Sequence, residues 1–173
     1  MTASANPGGQ NRRLVRTALA QWLMAQRIQG LDHVYRSQPP TAALELYRTG
    51  EATYSCQAWV TIPDDGEGRY VQTGPVLPTG KIIHYSVVLE IWHRSYEPSE
   101  LDWADDEDDY DRIYDGLKDC LRAGGRQIGR PEALLSVGEF REGLAGRHGG
   151  PETVEGGAVD RAGSLSFIVT QVI

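Results

Sequence analysis

Apolar and polar residues alternate most clearly over residues 82–92. The segment is rich in β-branched and aromatic residues, contains neither proline nor glycine, and is too short to cross a membrane. The pattern therefore predicts a β-strand with one mixed face. Its fully apolar face consists of Tyr85, Val87, Leu89 and Ile91.

An acidic segment, Asp102–Asp109, precedes a second periodic pattern. Apolar residues recur there at helical spacing, which predicts an amphipathic helix. The carboxylates at its first turn face the positive end of the helix dipole. Gly124 and Gly125 are expected to end it. The apolar stripe comprises Tyr110, Ile113, Tyr114, Leu117 and Leu121.

A further helix is predicted near the N-terminus, where Asn11 is a suitable N-cap and Gly30 a suitable stop. Residues 1–10 are rich in small and polar residues and are predicted to be a flexible tail. The helix would present one apolar stripe: Leu14, Val15, Ala18, Leu19, Trp22 and Leu23.

Other segments have the two-residue period of strands. Residues 52–62 predict a half-buried antiparallel strand that ends at the turn Pro63–Gly66, and residues 164–173 predict a strand at the end of the chain. Residues 31–36 and 134–137 are candidate short strands. Residues 44–48 fit either a short strand or a helical turn.

Two stretches lack these periods. Residues 63–80 are predicted to be an extended loop, and the Gly-rich residues 141–163 a long arm. Residues 11–173 then form a single α+β domain. We expect a mostly antiparallel sheet with two main helices packed on one face.

The composition argues against several classes of protein. The chain has 173 residues, a net charge of −7 and no run of lysine or arginine, which argues against general affinity for nucleic acid. It contains no apolar stretch of membrane-spanning length and no signal-peptide core, so we expect a soluble protein with no membrane partner. Cys56 and Cys120 each lie in an apolar pattern and are expected to be buried free thiols in a reducing cytoplasm.

The acidic segment Asp102–Asp111 is the obvious candidate for a metal site, because carboxylates are the usual ligands of hard cations. Its spacing does not fit an EF-hand, and on a helix these acids would point in several directions. A solvated helix start explains them as well.

The histidines have no zinc-ligand spacing with one another or with a cysteine, and His84 and His93 should lie on opposite faces of one strand. We predict no catalytic, cofactor-binding or metal residues and no enzymatic activity. A metal-dependent enzyme that uses Asp102–Asp111 is the alternative from a different class. The histidines are His33, His84, His93 and His148.

Aromatic residues instead indicate an interaction surface. Trp59, Trp92, Trp103 and Tyr96 are predicted at strand ends, on the mixed strand face or in a loop. Aromatic residues at such positions are enriched in protein interfaces. The 63–80 loop and the 141–163 arm are longer than a compact monomer needs, which suggests that a neighbour orders them.

The layout of the whole chain resembles the tail terminator proteins of long-tailed, siphovirus-type phages. The resemblance includes the helix at Leu14–Leu23, the segment Gly30–Arg36 that runs into prolines, and the strand Ile83–Trp92. It continues with the acidic helix, which contains Asp109-Tyr110-Asp111 and Leu117, and with the terminal strand Leu165–Ile173.

This resemblance implies a structural virion protein at the head–tail interface, assembled in the host cytoplasm. It implies a hexameric ring that caps the tail tube, binds the tail tube protein and the head-completion protein, and lets genomic DNA pass through its lumen. A negative protein without a basic stripe suits a channel through which DNA slides. A head-completion (stopper or adaptor) protein or another minor tail protein is the nearest alternative, and a monomeric host-side binding module is another.

Overall fold

A computed structural model describes residues 8–45, 53–69, 81–97, 104–128, 134–137, 144–154 and 156–172. Its helices are α1 (Gly8–Ala25), α2 (Thr41–Glu45) and α3 (Ala104–Ala123). Its strands are β1 (His33–Tyr35), β2 (Tyr54–Arg69), β3 (Lys81–Ser95), β4 (Gly125–Ile128), β5 (Leu134–Val137), β6 (Ala145–Thr153) and β7 (Val159–Val172).

All of these strands belong to one sheet, in the order β1-β2-β3-β7-β5-β4, and β6 also pairs with β7. Only the β1–β2 pair is parallel among the described strands. The predicted α+β fold with a mostly antiparallel sheet is therefore confirmed. The predicted short strands at 31–36 and 134–137 correspond to β1 and β5. The ambiguous 44–48 segment begins within α2, and residues 46–48 lie outside the described residues.

One face of the sheet, called here the inner face, carries the core. Leu89 of β3 lies opposite Val60 of β2 and Leu165 of β7, and all three side chains are buried. The apolar stripes of α1 and α3 join the same hydrophobic cluster, so both main helices cover this face. Burial of such side chains stabilises the fold by about 1.5–3 kcal/mol each.

The short helix α2 lies on the opposite, outer face. Gln57 points away from the core residues Cys56 and Ala58, and its side-chain amide donates a hydrogen bond to the carbonyl of Leu44 (2.7 Å). The outer face is therefore covered at the Gln57 end of β2.

The first helix begins and ends earlier than predicted, because α1 begins at Gly8 and not after an Asn11 cap, and it ends at Ala25 and not at Gly30. Residues 8–10 of the predicted flexible tail are thus helical. Helix formation is cooperative, so an apolar stripe that nucleates the helix further along can extend it into polar residues at little cost.

The 63–80 loop prediction was wrong for its first part. Strand β2 continues to Arg69, and its end pairs with the start of β3. A register shift between Thr61 and Asp64 accommodates Pro63, which has no N–H to donate. Residues 70–80 lie outside the described ranges.

The prediction of a long irregular arm at 141–163 was also wrong. Strand β6 pairs antiparallel with β7, and β7 begins at Val159, five residues earlier than predicted. The turn between them contains Gly156 and Gly157, both with left-handed φ values (88° and 82°) that favour glycine. Residues 141–143 and 155 lie outside the described ranges.

Other glycines of this hairpin let α3 approach the sheet closely. A Cβ atom at Gly163 would collide with the hydroxyl of Tyr110 and would lie 2.9 Å from the carbonyl oxygen of Arg147. A Cβ atom at Gly146 would collide with the hydroxyl of Tyr114. Gly146 and Gly163, which contributed to the prediction of an irregular arm, therefore reflect close packing of helix tyrosines on strand backbone.

We expect Gly163→Ala to destabilise the protein by about 1–3 kcal/mol, since the added methyl group overpacks the Tyr110 contact. Chemical denaturation would measure this loss. Adding Tyr110→Phe should recover part of it by removing the clashing hydroxyl, but the Arg147 carbonyl remains. Gly150→Ala is the matched control, because a Cβ there meets no atom within 4 Å. Equal effects at Gly163 and Gly150 would contradict this interpretation.

Candidate functional site

A row of aromatic rings lies between α3 and the sheet. The ring of Tyr54 stacks on His93 with centroids 5.2 Å apart, and His93 meets Tyr110 edge-on at 5.7 Å. His148 lies edge-on against Tyr110 (4.8 Å) and Tyr114 (5.4 Å). The row crosses β2, β3 and β6, so it fixes the position of α3 across three strands.

At the end of this row, His148 makes a polar contact with the carboxylate of Asp111 on α3. Its Nε2 lies 2.6 Å from Oδ1 of Asp111, which follows Tyr110 directly and lies about one helical turn before Tyr114. Both side chains are partly exposed. The contact ties the otherwise exposed strand β6 to the helix.

His93 is the buried histidine of the row, with no measurable exposure. Burial lowers the pKa of His93 to about 4, because the imidazolium form is poorly solvated there. The negative charge of Asp106 opposes this shift, and the positive charge of Arg161, its neighbour across β3 and β7, reinforces it. His93 is therefore neutral at pH 7.

On the outer face, Asp160 holds two side chains of β3 in place. It accepts two hydrogen bonds from Arg94, at 2.6 and 2.8 Å, and one from the indole N–H of Trp92 at 3.2 Å. The Arg94 guanidinium carbon also lies 4.9 Å from the centre of the Trp92 ring. A bidentate pair with cation–π contact fixes geometry as well as charge.

The aromatic residues predicted as interaction surface fall largely on this face. Trp59 and Trp92 are both half-buried on the outer face, and Tyr96 is half-buried just beyond β3. Trp103 lies outside the described residues. The rim of the face at β1 is polar, since the Tyr35 hydroxyl donates to Gln57 (2.9 Å) and the Ser55 hydroxyl to Asp32 (3.0 Å).

The sheet presents backbone edges on both sides. Within the described ranges, β6 pairs only with β7, and its residues are exposed apart from the half-buried Gly149. On the other side, β1 covers β2 only at Gln57–Trp59, which leaves the edge of residues 60–69 without a paired strand among those described. Such edges can template pairing with another chain.

The carboxylates of the acidic segment diverge, as expected on a helix. Asp106 accepts a hydrogen bond from Ser95 (2.7 Å), and Asp109 pairs with Arg112 (2.7 Å). Asp111 turns instead to His148. In the part of the chain that the structure describes, no group of three or more His, Cys, Asp or Glu side chains could hold a metal ion. Asp102 lies outside that part.

The other histidines and the cysteines lie apart from one another. His84 is exposed on the outer face, opposite to the inward-facing His93, and His33 lies edge-on against Tyr35 at the sheet edge. Cys56 and Cys120 are both free thiols, and burial is the main factor raising the pKa of each. Cys56 is buried as predicted, whereas Cys120 is only partly buried.

Sequence reasoning missed Asp160 and Arg161, which were assigned to the arm. The signal was present, because the alternation that marks the final strand extends back through Val159, Arg161 and Gly163. A glycine and an arginine at inward positions masked it.

No protein-family model matches this chain, and no curated protein matches it. No helix among the described residues has the length and apolar character needed to cross a membrane.

The low pKa of His93 predicts a pH dependence of stability. Between pH 6.5 and about 4 the unfolded chain binds the imidazole proton and the folded protein does not. The free energy of unfolding should therefore be fully retained above pH 6.5 and fall with decreasing pH, by up to about 1.4 kcal/mol per pH unit for this group.

His93→Phe should keep the ring contacts and remove this contribution, which denaturation at several pH values would measure. His84→Phe, an exposed histidine of the same strand, is the control and should retain the wild-type slope. The assignment to His93 would be wrong if the two variants had the same pH dependence.

Proposed function

We propose that this protein is a structural virion protein, a tail terminator that assembles into a hexameric ring. The ring would cap the tail tube at the head–tail interface, bind the tail tube protein on one side and the head-completion protein on the other, and let DNA pass through its lumen. The observation that carries the proposal is the pair of sheet edges on opposite sides of the subunit.

Two different edges on opposite sides of one subunit favour head-to-tail association. Contacts of this heterologous kind close into a ring when the rotation between neighbours is an integral fraction of a turn. Pairing the β6 edge of one subunit with the β2 edge of the next would also remove the aggregation hazard of both.

The charges of the two edges complement each other. The first half of β6 contributes the exposed Arg147, whereas residues 64–67 of β2 include Asp64, Asp65 and Glu67 in their sequence. Opposite charges brought together in this way favour the correct neighbour and register.

Net charge supports the proposed lumen. A charge of −7 without a lysine- or arginine-rich run gives the subunit no general means of holding the DNA backbone. Weak interaction with the phosphates is what a passage for DNA requires, since a strongly basic channel would retain it.

The decisive experiment is light scattering of the purified protein, followed by electron microscopy of the same fraction. Six-fold rings of about six times the 19.1 kDa subunit mass would support the proposal. If the protein is monomeric, purified tail tubes are added, and we expect rings at tube ends. Binding to portal or adaptor complexes without binding to tubes would favour a head-completion protein and contradict the terminator assignment.

Arg147→Glu should weaken ring assembly at least tenfold, because it places like charges at the proposed β6–β2 contact, while the monomer remains folded. The exposed Arg13→Glu on α1 makes the same change in net charge and should assemble normally. Analytical ultracentrifugation would compare the two association constants. Equal assembly of both variants would exclude this contact.

A further inference from the structure

A groove runs between α1 and β1, which is the last strand at its side of the sheet among those described. The volume of this α1–β1 groove is about 500 Å³, within the range of ligand-binding pockets. One wall is formed by His33–Arg36, and the other is a stripe of α1 at the helical spacing i, i+3, i+4 and i+7. The stripe comprises Thr17, Ala20, Gln21 and Met24.

The main chain of β1 makes a weak hydrogen bond in this groove. The N–H of Val34 lies 3.2 Å from Sδ of Met24, and a thioether sulfur is a weak acceptor. In a sheet, a backbone N–H at an edge donates to the carbonyl of an added strand. Met24 therefore takes the place of that carbonyl, and a stronger acceptor can displace its sulfur.

The groove also offers an apolar surface. Met24 is 37% exposed, and no other large hydrophobic side chain of the described residues is exposed to this degree. Its flexible side chain can adapt to different neighbours. Ala20, one turn earlier on the same face of α1, has a short side chain that leaves room between the helix and the strand. An apolar side chain of an added strand would fit here.

The groove lies in a basic part of an acidic protein. None of the described residues that line it is Asp or Glu, and Arg36 lies directly beyond β1. Residues 8–31 contain four arginines and no acidic residue, in a chain with a net charge of −7. The first acidic residue, Asp32, accepts hydrogen bonds from the hydroxyl of Ser55 and the N–H of Cys56. Charge complementarity therefore favours an acidic occupant.

We propose that the α1–β1 groove binds an extended acidic segment of a partner protein, which adds to β1 as a further strand. A main-chain carbonyl of the segment accepts the hydrogen bond of the Val34 N–H in place of the Met24 sulfur. An apolar side chain packs on Ala20 and Met24, and a carboxylate pairs with Arg36. In this mode of recognition the backbone supplies affinity and the side chains supply specificity.

The contact is short and reversible. Strand β1 has three residues, which span about 10 Å. All of the groups involved belong to one subunit, so binding requires only the folded protein and does not depend on the proposed ring.

The test is calorimetric titration of the full-length protein with a capped octapeptide of alternating glutamate and valine. Replacing every glutamate of the peptide with lysine should abolish binding, because the basic groove repels it. The glutamate peptide N-methylated at every amide cannot pair as a strand and should bind at least about tenfold more weakly.

Variants of the protein locate the binding site. Met24→Glu places a negative charge in the groove and Arg36→Glu reverses the charge beside it, so each should weaken binding at least about tenfold. Arg122→Glu makes the same charge change as Arg36→Glu on the exposed surface of α3 and should bind like the wild type.

NMR gives an independent readout, because the chain has only two methionines, Met1 and Met24. Carbon-13 labelling of the methyl groups, with Met24→Leu for assignment, identifies the Met24 resonance. Addition of the glutamate peptide should shift this resonance with the Kd found by calorimetry.

Several results would overturn the proposal. These are no binding at about 1 mM glutamate peptide, equal binding of the lysine peptide, and equal affinity of Arg36→Glu and Arg122→Glu. Undiminished binding of the N-methylated peptide would exclude strand addition. A shift of the Met24 resonance with protein concentration, in the absence of peptide, would instead assign the groove to a second copy of this chain.

Discussion

The structure depends on one constraint, the pairing of β3 on both of its edges. It pairs with β2 from Ser95 back to Lys81 and with β7 from Ser95 back to Ile82, so nearly every backbone group along it is positioned by two neighbours. The strict two-residue period of the strand then decides which side chains face the helices. This pairing determines which side chains lie on the inner face. It thereby determines where both main helices pack and which strand edges stay free among the described residues.

The same pairing forces polar residues into the interior. His93 and Arg161 occupy inward positions beside each other, between the row of Ile91 and Gly163 and the row of Ser95 and Val159. The sheet cannot turn these residues outward without a register slip that would expose the whole apolar face. Tyr110 and Tyr54 cover them, and the glycines of β6 and β7 make room for α3 to do so.

The edges and the interior serve different purposes. Strand β6 at one edge of the sheet is exposed, whereas the polar cluster of His93, Tyr110 and Arg161 beneath α3 is buried. The ring that we propose would need both a rigid subunit and exposed strands that can pair. The two main helices both cover the inner face, and α2 covers the outer face only at the Gln57 end of β2, so Trp59 and Trp92 would be available for such contacts.

The sequence alone determined the central strand, the acidic helix, the α+β class and the divergence of the carboxylates, because these depend on local periodicity and on helix geometry. It did not reveal β6, the extension of β2 past Pro63, or the burial of Arg161. Those features depend on partners distant in the chain. A bulge makes Pro63 tolerable only because β3 continues alongside it, and Gly146 and Gly163 favour a strand only because tyrosines of α3 pack against them.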